Sequence, residues 1–153
     1  MKNVSKTILA LCLSTLLTNA FAQSAEEAAI KTVIEKETQA WFDRDAKAMK
    51  SYWADVPQVS KCVSLIGGMV VHSYGGKLSN ADPLAGMSKE PIKGKIERTE
   101  WNFRVVGNAA YVTYTEADIP ETGPKGHFYE SRFMEKIDGA WKIVAVNAVA
   151  YKP

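Results

Sequence analysis

Cysteine and histidine are scarce in this sequence, which removes several classes of site at once. The only cysteines are Cys12 and Cys62, and the only histidines are His72 and His127. No spaced Cys/His pattern typical of a zinc site occurs, so we expect no metal site and no cofactor. Because Cys62 lies in an apolar run, buried packing is its simplest role, and an intermolecular disulfide is the alternative.

A hydrophobic run long enough to cross a membrane is also missing. The apolar stretch Ile8–Leu17 is too short to span a bilayer, but it follows two lysines and precedes a small-x-small cleavage pattern at Ala20–Ala22. This combination predicts a signal peptide over residues 1–22, export to the periplasm or the medium, and one domain over residues 23–153. An uncleaved membrane anchor is the alternative. Cleavage would leave a single cysteine, so no disulfide could form within the mature chain.

An excess of charge of either sign is absent as well. Lys2 and Lys6 carry the only charges in residues 1–22, so 17 of the 19 Lys and Arg residues remain in the mature chain against 17 Asp and Glu. A chain this close to neutrality offers no electrostatic footprint for nucleic acid or for an anionic membrane. We therefore expect no nucleic-acid partner, and no membrane partner after signal cleavage.

The mature chain begins with a pattern that predicts a helix. A capping box, Ser24-Ala25-Glu26-Glu27, places the helix start at Ser24, and Asp45 is expected to cap a second short helix, Ala46–Trp53. One apolar stripe at helical spacing comprises Ile30, Val33, Ile34, Trp41 and Phe42. Glu37 lies within this stripe, where desolvation would raise its pKa toward that of a general acid or base. A place at the stripe's edge, or a structural ion pair with Arg132, is the alternative.

From Val56 onward the pattern is that of β-strands. The predicted strands are Val59–Ile66, Met69–Tyr74, Ile96–Val106, Ala109–Ala117 and the two halves of a hairpin over Glu130–Tyr151, with a long loop at Lys77–Lys95. Asp138-Gly139 is the predicted hairpin turn, because both positions tolerate positive φ. Helices that precede a run of antiparallel strands indicate an α+β fold. We expect a curved antiparallel sheet of five or six strands, wrapped around the N-terminal helix and leaving a cone-shaped interior.

Two strands carry a face pattern that bears on function. In the last strand, alternation places Trp141, Ile143, Ala145, Asn147, Val149 and Tyr151 on one face, of which Asn147 alone is polar. A buried amide needs a hydrogen bond from a neighbour or from a ligand. In Ile96–Val106, the same alternation predicts Trp101 on one face and Arg98 on the other.

These pieces resemble the nuclear transport factor 2-like superfamily, in particular its SnoaL-like small bacterial domains. The resemblance rests on the order and spacing of Ala40-Trp41, Arg44-Asp45, the turn within Val106–Ala110, Glu130-Ser131-Arg132 and Asp138–Ile143. It implies a curved sheet with helices closing its concave side, a pocket at the wide end, and pairing of many relatives as homodimers through the outer sheet face. It implies no activity, because the superfamily includes isomerases, dehydratases, cyclases and non-catalytic binding domains. The region Gly67–Lys95 fits the pattern poorly.

Several residues are candidates for function. The catalytic candidates are Glu37, His72 and Asn147, and the ligand-binding candidates are Trp53, Trp101, Tyr114, Arg132 and Asn147. Arg132 could bind an anionic group or pair with Glu37, or it could form a solvated pair with Glu130 on the outer face. The aromatic residues are core first and pocket lining second. His127 and Asp118, which lie near loops, are weaker candidates for acid–base roles.

Three functions remain open at this point. The first is binding of a small apolar or aromatic ligand in the cone, without catalysis. The second is an isomerase, dehydratase or cyclase that uses Glu37 or His72 as its acid or base. The third is a homodimeric interaction module that acts through the sheet face. The pocket hypotheses predict that Glu37, Trp53, Trp101, Arg132 and Asn147 border one cavity.

Overall fold

The helical part of the molecule consists of two helices joined by a tight turn. The computed structural model describes residues 4–75, 84 and 88–153, with side chains from Gln23 onward. Helix α1 spans Val4–Phe42 and α2 spans Ala46–Ser51. The Asp45 carboxylate caps α2 as predicted, accepting from the Ala48 backbone N–H at 2.9 Å. No helix among the described residues has both the length and the apolar character needed to cross a membrane.

Two predicted helix boundaries are wrong. Helix α1 does not begin at Ser24, because helical backbone continues without a break from Val4 through the capping-box residues. Helix α2 ends at Ser51 rather than Trp53, because the chain turns there to meet the last strand. The Tyr52 carbonyl accepts from the Ile143 N–H at 2.8 Å, and the Ala54 N–H donates to the Ile143 carbonyl at 2.9 Å. These bonds fix the loop after α2, and the Trp53 side chain with it, beside the sheet.

One open sheet of six strands forms the rest of the structure. The strands are β1 Ser60–Ser64, β2 Val70–Tyr74, β3 Gly94–Val106, β4 Ala109–Pro120, β5 Gly126–Ile137 and β6 Ala140–Ala150. Their order in the sheet is β2-β1-β6-β5-β4-β3. All neighbours are antiparallel except β1 and β6, which run parallel, so the sheet is mixed rather than wholly antiparallel. The predicted α+β class is confirmed, as is the hairpin turn, where Asp138 and Gly139 both have positive φ.

The hydrophobic core lies between α1 and the concave face of the sheet. Ile30 and Ile34 of α1 are fully buried and belong to one cluster with residues of β4, β5 and β6, among them Val112, Met134 and Ile143. A smaller cluster under the loop after α2 contains Ala54, Val59 and Val144. Burying side chains of this size stabilises the fold by about 1.5–3 kcal/mol each. The sheet therefore has an inner face turned to α1 and an outer face turned away from it.

A bulge in β6 changes which residues face the interior. Met134 pairs with Ile143 but Phe133 pairs with Ala145, so Val144 is an extra residue in β6. Before the bulge Trp141 and Ile143 are buried, and after it the buried residues are Val146 and Ala148. The predicted single face from Trp141 to Tyr151 is therefore wrong, and Asn147 is exposed on the outer face.

A second bulge has the same effect in β3. The register of β3 with β4 shifts between Thr99 and Asn102, and Glu100 adopts a φ of 58°. Trp101 and Arg98 were predicted on opposite faces, but both now lie against the ring of Tyr114 on the inner face. This bulge brings a guanidinium and an indole to one place in the interior.

Candidate functional site

The inner face of the sheet carries a row of buried polar side chains, which we call the interior polar row. It comprises Glu37 from α1, Arg98 from β3, Tyr114, Glu116 and Asp118 from β4, and Glu130 and Arg132 from β5. Strand pairing produces the row, because Tyr114 lies opposite Glu130 and Glu116 lies opposite Arg98. Charged groups are almost never fully buried unless they are paired, so each of these positions needs a physical account.

One end of the row is closed by hydrogen bonds. The Glu37 side chain accepts from Arg132 Nη1 at 2.8 Å through Oε2 and from Trp53 Nε1 at 3.1 Å through Oε1. Only 5% of Glu37 is exposed. Burial alone would raise the pKa of Glu37, but the charge of Arg132 and its hydrogen bond outweigh burial and hold the pKa below its usual value. Both Glu37 oxygens are thus engaged by protein donors, and the group is an ionised structural partner.

The middle of the row centres on Glu130. Its Oε2 accepts from Arg132 Nε at 3.1 Å and from the Tyr114 hydroxyl at 2.5 Å. The guanidinium carbons of Arg98 and Arg132 lie 5.6 and 5.9 Å from the centre of the Tyr114 ring. Burial, together with the nearby carboxylate of Glu130, raises the pKa of Tyr114 well above its usual value. The phenol therefore stays protonated and acts as a donor to Glu130.

The other end of the row is incompletely bonded, and we call it the open end. Arg98 Nη2 lies 2.6 Å from Glu116 Oε2, and both side chains are more than nine-tenths buried. Three further buried atoms have no hydrogen-bond partner in the part of the chain that the structure describes: Arg98 Nε, Trp101 Nε1 and Asp118 Oδ1. A buried polar atom without a partner destabilises the folded protein by about 1–3 kcal/mol. A ligand that forms a hydrogen bond with such an atom would remove this penalty.

Two carboxyl groups of the open end titrate near neutral pH. Burial, and then the charge of Glu130, raises the pKa of Glu116 to about 8. Burial and Glu130 likewise raise the pKa of Asp118 to about 6, although a hydrogen bond with Glu116 opposes the increase. A hydrogen bond between two carboxyl groups requires a proton on one of them. This end of the row therefore holds a proton near neutral pH, unlike the ionised Glu37 at the closed end.

The structure brings together most of the predicted site residues but not all of them. Glu37, Trp53 and Arg132 are bonded to one another, and Arg132 connects them through Glu130 to Tyr114, whose ring lies 4.4 Å from that of Trp101. Asn147 is not part of this group, because the β6 bulge turns it outward into a shallow depression of about 340 Å³ on the outer face. The expectation that Asn147 borders the same interior as Glu37 is wrong.

His72 is also remote from the interior polar row. It lies exposed on β2, at the edge of the sheet, and its ring contacts Tyr74. Its partner across the strand pair is Cys62 of β1, which in turn pairs with Asn147. His72 therefore lies in a different part of the molecule from Glu37. Asn147 does not connect them, because it faces outward. His127 lies at the start of β5, half-buried against Tyr151.

Sequence reasoning missed Glu116 and Arg98, and gave Asp118 little weight. A signal was available on β4, where successive side chains point to opposite faces. Counting every second residue from the buried Val112 places Tyr114, Glu116 and Asp118 on the same face. Arg98 was placed on the wrong face because the β3 bulge has no clear sequence signature. The open end is thus predictable in part from β4 alone.

Comparison with solved structures identifies the fold. An NTF2-like protein of unknown function from Pseudomonas putida KT2440 superposes with a TM-score of 0.67 at 18% identity, covering 85% of this chain and 89% of its own. One from Shewanella baltica OS155 gives 0.61 at 17% identity, covering 85% and 97%. A cystatin-like fold protein from Burkholderia xenovorans LB400 gives 0.62 at 14%, covering 83% and 92%. No family model and no curated protein matches the chain.

At these sequence identities the similarity is evidence for the fold but not for any activity. It agrees with the two helices, the six-stranded open sheet and the inner face described above. The chain therefore has the nuclear transport factor 2-like, cystatin-like fold that its sequence predicted.

Proposed function

We propose that this protein binds a small molecule with an apolar or aromatic body at the open end of the interior polar row. The observation that carries the proposal is the set of buried, unpartnered atoms on Arg98, Trp101 and Asp118. Binding sites combine apolar walls with a few fixed polar groups. Here the Trp101 ring stacks on that of Phe103 and lies tilted against that of Tyr114, and these rings supply the apolar surface beside those groups.

The closed end is a poorer binding site. Both oxygens of Glu37 already accept hydrogen bonds, and Arg132 is shared between Glu37 and Glu130. A ligand there would have to replace bonds that the protein already makes, whereas at the open end it would add bonds. We assign Glu37, Arg132 and Trp53 a supporting role that holds the inner face in place.

The four tryptophans of the chain provide a direct test by NMR. Each indole N–H gives a separate signal, and those of Trp53 and Trp141 are bonded to Glu37 and Glu26. We expect titration with a panel of small ring compounds, comprising phenol, cyclohexanone and benzamide, to shift the Trp101 indole signal for at least one compound. The Trp141 signal should remain in place because its N–H already has a carboxylate acceptor at 2.6 Å.

Two variants make this test specific. Asn147→Ala alters the outer face and should leave the Trp101 shift unchanged, whereas Arg98→Lys should weaken it by removing the Nε–H donor while keeping the charge. If none of the three compounds moves the Trp101 signal at millimolar concentration, or if Asn147→Ala abolishes the shift, the open end is not the binding site.

A second function is favoured by the carboxyl pair of the open end. Glu116 and Asp118, with pKa values of about 8 and about 6, have the acid–base range that proton transfer at neutral pH requires. We therefore move the enzymatic hypothesis, an isomerase, dehydratase or cyclase, from Glu37 and His72 to these two groups. Its test is exchange of the α-protons of cyclohexanone in D₂O, which Asp118→Asn should reduce to the uncatalysed rate.

We also propose a homodimer formed through the outer face of the sheet. Support comes from exposed apolar side chains on that face, with Tyr111, Tyr129 and Val149 each more than half exposed. Tyr129→Lys at the centre of this face should convert a dimer to a monomer in sedimentation velocity. Val71→Lys is the matched control, because Val71 is similarly exposed but lies on the edge strand β2. A monomeric wild-type protein would refute the proposal.

Export remains part of the proposed function. It rests on the two lysines, the apolar run and the Ala20–Ala22 pattern of residues 1–22. The mass of the protein recovered from the periplasm or medium of an expressing bacterium should correspond to a chain that begins at Gln23, and retention of the full mass in the cells would contradict it.

A further inference from the structure

Resting on the proposed function, we infer the chemical class of the ligand: a neutral group that presents a hydrogen-bond acceptor beside a donor, as a primary amide does. The inference follows from the atoms that the open end leaves unpartnered and from the charges that already surround them.

A cationic ligand is disfavoured because side-chain cations of the protein already lie against the aromatic rings. The guanidinium groups of Arg98 and Arg132 both lie within 6 Å of the Tyr114 ring centre, and Lys31 Nζ lies 5.2 Å from that of Trp101. Ring faces attract cations, so an organic cation would normally bind on them. Here a further positive charge would approach groups of the same sign, and like charges at such distances repel strongly in a buried site.

An anionic ligand meets an excess of carboxyl groups. The charge of Glu130 raises the pKa values of both Glu116 and Asp118, and the charge of Asp118 also raises that of Glu116, so the open end resists additional negative charge. Arg98 already faces two carboxyl groups: Glu116 lies 2.6 Å from its Nη2, and the charge of Arg98 also acts on Asp118, which is ionised at pH 7. A carboxylate or phosphate would therefore enter without a free cation to pair with, and desolvating an unpaired charge is costly.

A neutral ligand with both kinds of hydrogen-bonding atom fits what remains. Arg98 Nε and Trp101 Nε1 are donors that need an acceptor, and Asp118 Oδ1 is an acceptor when its carboxyl is ionised. A carbonyl oxygen would satisfy the donors and an amide N–H₂ would satisfy Asp118. Because a buried site built for hydrogen bonds rejects analogues that leave its groups unpaired, such a ligand would be strongly preferred.

Asp118 connects the open end to the surface of the protein. Asp118 is only partly buried and lies near the end of β4, opposite Gly126 of β5. A Cβ on Gly126 would lie 2.8 Å from the Phe128 ring and 3.6 Å from the Asp118 Cβ, so the Phe128 ring packs closely over Gly126 beside Asp118.

Three probes with one ring and different charges test the inference. Benzamide is neutral, benzoate is an anion and benzylamine is a cation at pH 7, so their affinities compare charge state on a nearly constant apolar body. We expect the Trp101 indole signal to report benzamide binding at least tenfold tighter than either charged probe. Asp118→Ala should weaken benzamide binding about tenfold, consistent with one lost hydrogen bond in a buried site. Asn147→Ala should leave it unchanged.

The outcomes separate this inference from the proposed function. Tighter binding of benzoate or benzylamine through Trp101 would overturn the neutral class and leave the site in place. Equal affinities for all three probes would also overturn the class, because the ring alone would then account for binding. If none of the probes, nor phenol or cyclohexanone, moves the Trp101 signal, the proposed function fails and the inference fails with it.

Discussion

Replacing Arg132 by methionine is expected to destabilise the protein by about 3–5 kcal/mol, enough to unfold a large share of it at 37 °C. Arg132 is 4% exposed and its guanidinium bonds both Glu37 and Glu130. Methionine fills much of the same volume but supplies no charge, so two buried carboxylates lose their cation. The cost is the penalty of leaving those charges unpaired, not the loss of one contact. Urea denaturation followed by circular dichroism measures the change.

A matched control separates the charge effect from the loss of an arginine. Arg104 lies exposed on β3, and Arg104→Met should change the free energy of unfolding by no more than about 0.5 kcal/mol. Coupling provides a second check: once Glu37→Gln has removed one of the stranded charges, Arg132→Met should cost clearly less than it does alone. A loss of under about 1 kcal/mol for Arg132→Met, or simple additivity with Glu37→Gln, would show that the row contributes little to stability.

The order of elements could be predicted from the sequence because each one carries its own local signal. Asp138-Gly139 specifies the hairpin turn by its tolerance of positive φ, and Asp45 specifies the start of α2 by its side-chain acceptor. The apolar stripe around Ile30 and Ile34 specifies the buried face of α1. None of these signals depends on a distant residue, and together they were sufficient for the fold class.

Which residues face the interior depends on two β-bulges, and neither bulge has a signal in the local sequence. Val144 and Glu100 are the extra residues at two bulges, and each bulge reverses the facing of everything beyond it. The β6 bulge turned Asn147 outward, and the β3 bulge turned Arg98 and Trp101 to the same side. Alternation alone was reliable on β4 and β5, which pair with each other without a register shift. The interior polar row is therefore a property of strand register.

The stability of the wild-type protein is expected to fall as the pH rises from about 5 to about 8, and Glu116→Gln is expected to remove most of that fall. Burial and then Glu130 raise the pKa of Glu116 from 4.5 to about 8 in the folded protein. Between these two values the folded state holds a proton that the unfolded chain has released. Stability is therefore highest below the unfolded pKa and is lost as the pH approaches 8, by an amount on the order of 4 kcal/mol.

The variant keeps the shape and the hydrogen-bonding capacity of a protonated Glu116 but cannot ionise. Its free energy of unfolding should therefore exceed that of the wild type at pH 8 and approach it at pH 5, as measured by urea denaturation at several pH values. The pKa of Asp118 is raised from 3.8 to about 6, so the free energy of unfolding also decreases by a smaller amount as the pH rises toward 6. The variant should retain this smaller decrease. Glu121→Gln, at an exposed position, should reproduce the wild-type curve. Parallel curves for wild type and Glu116→Gln would mean that Glu116 does not hold the proton.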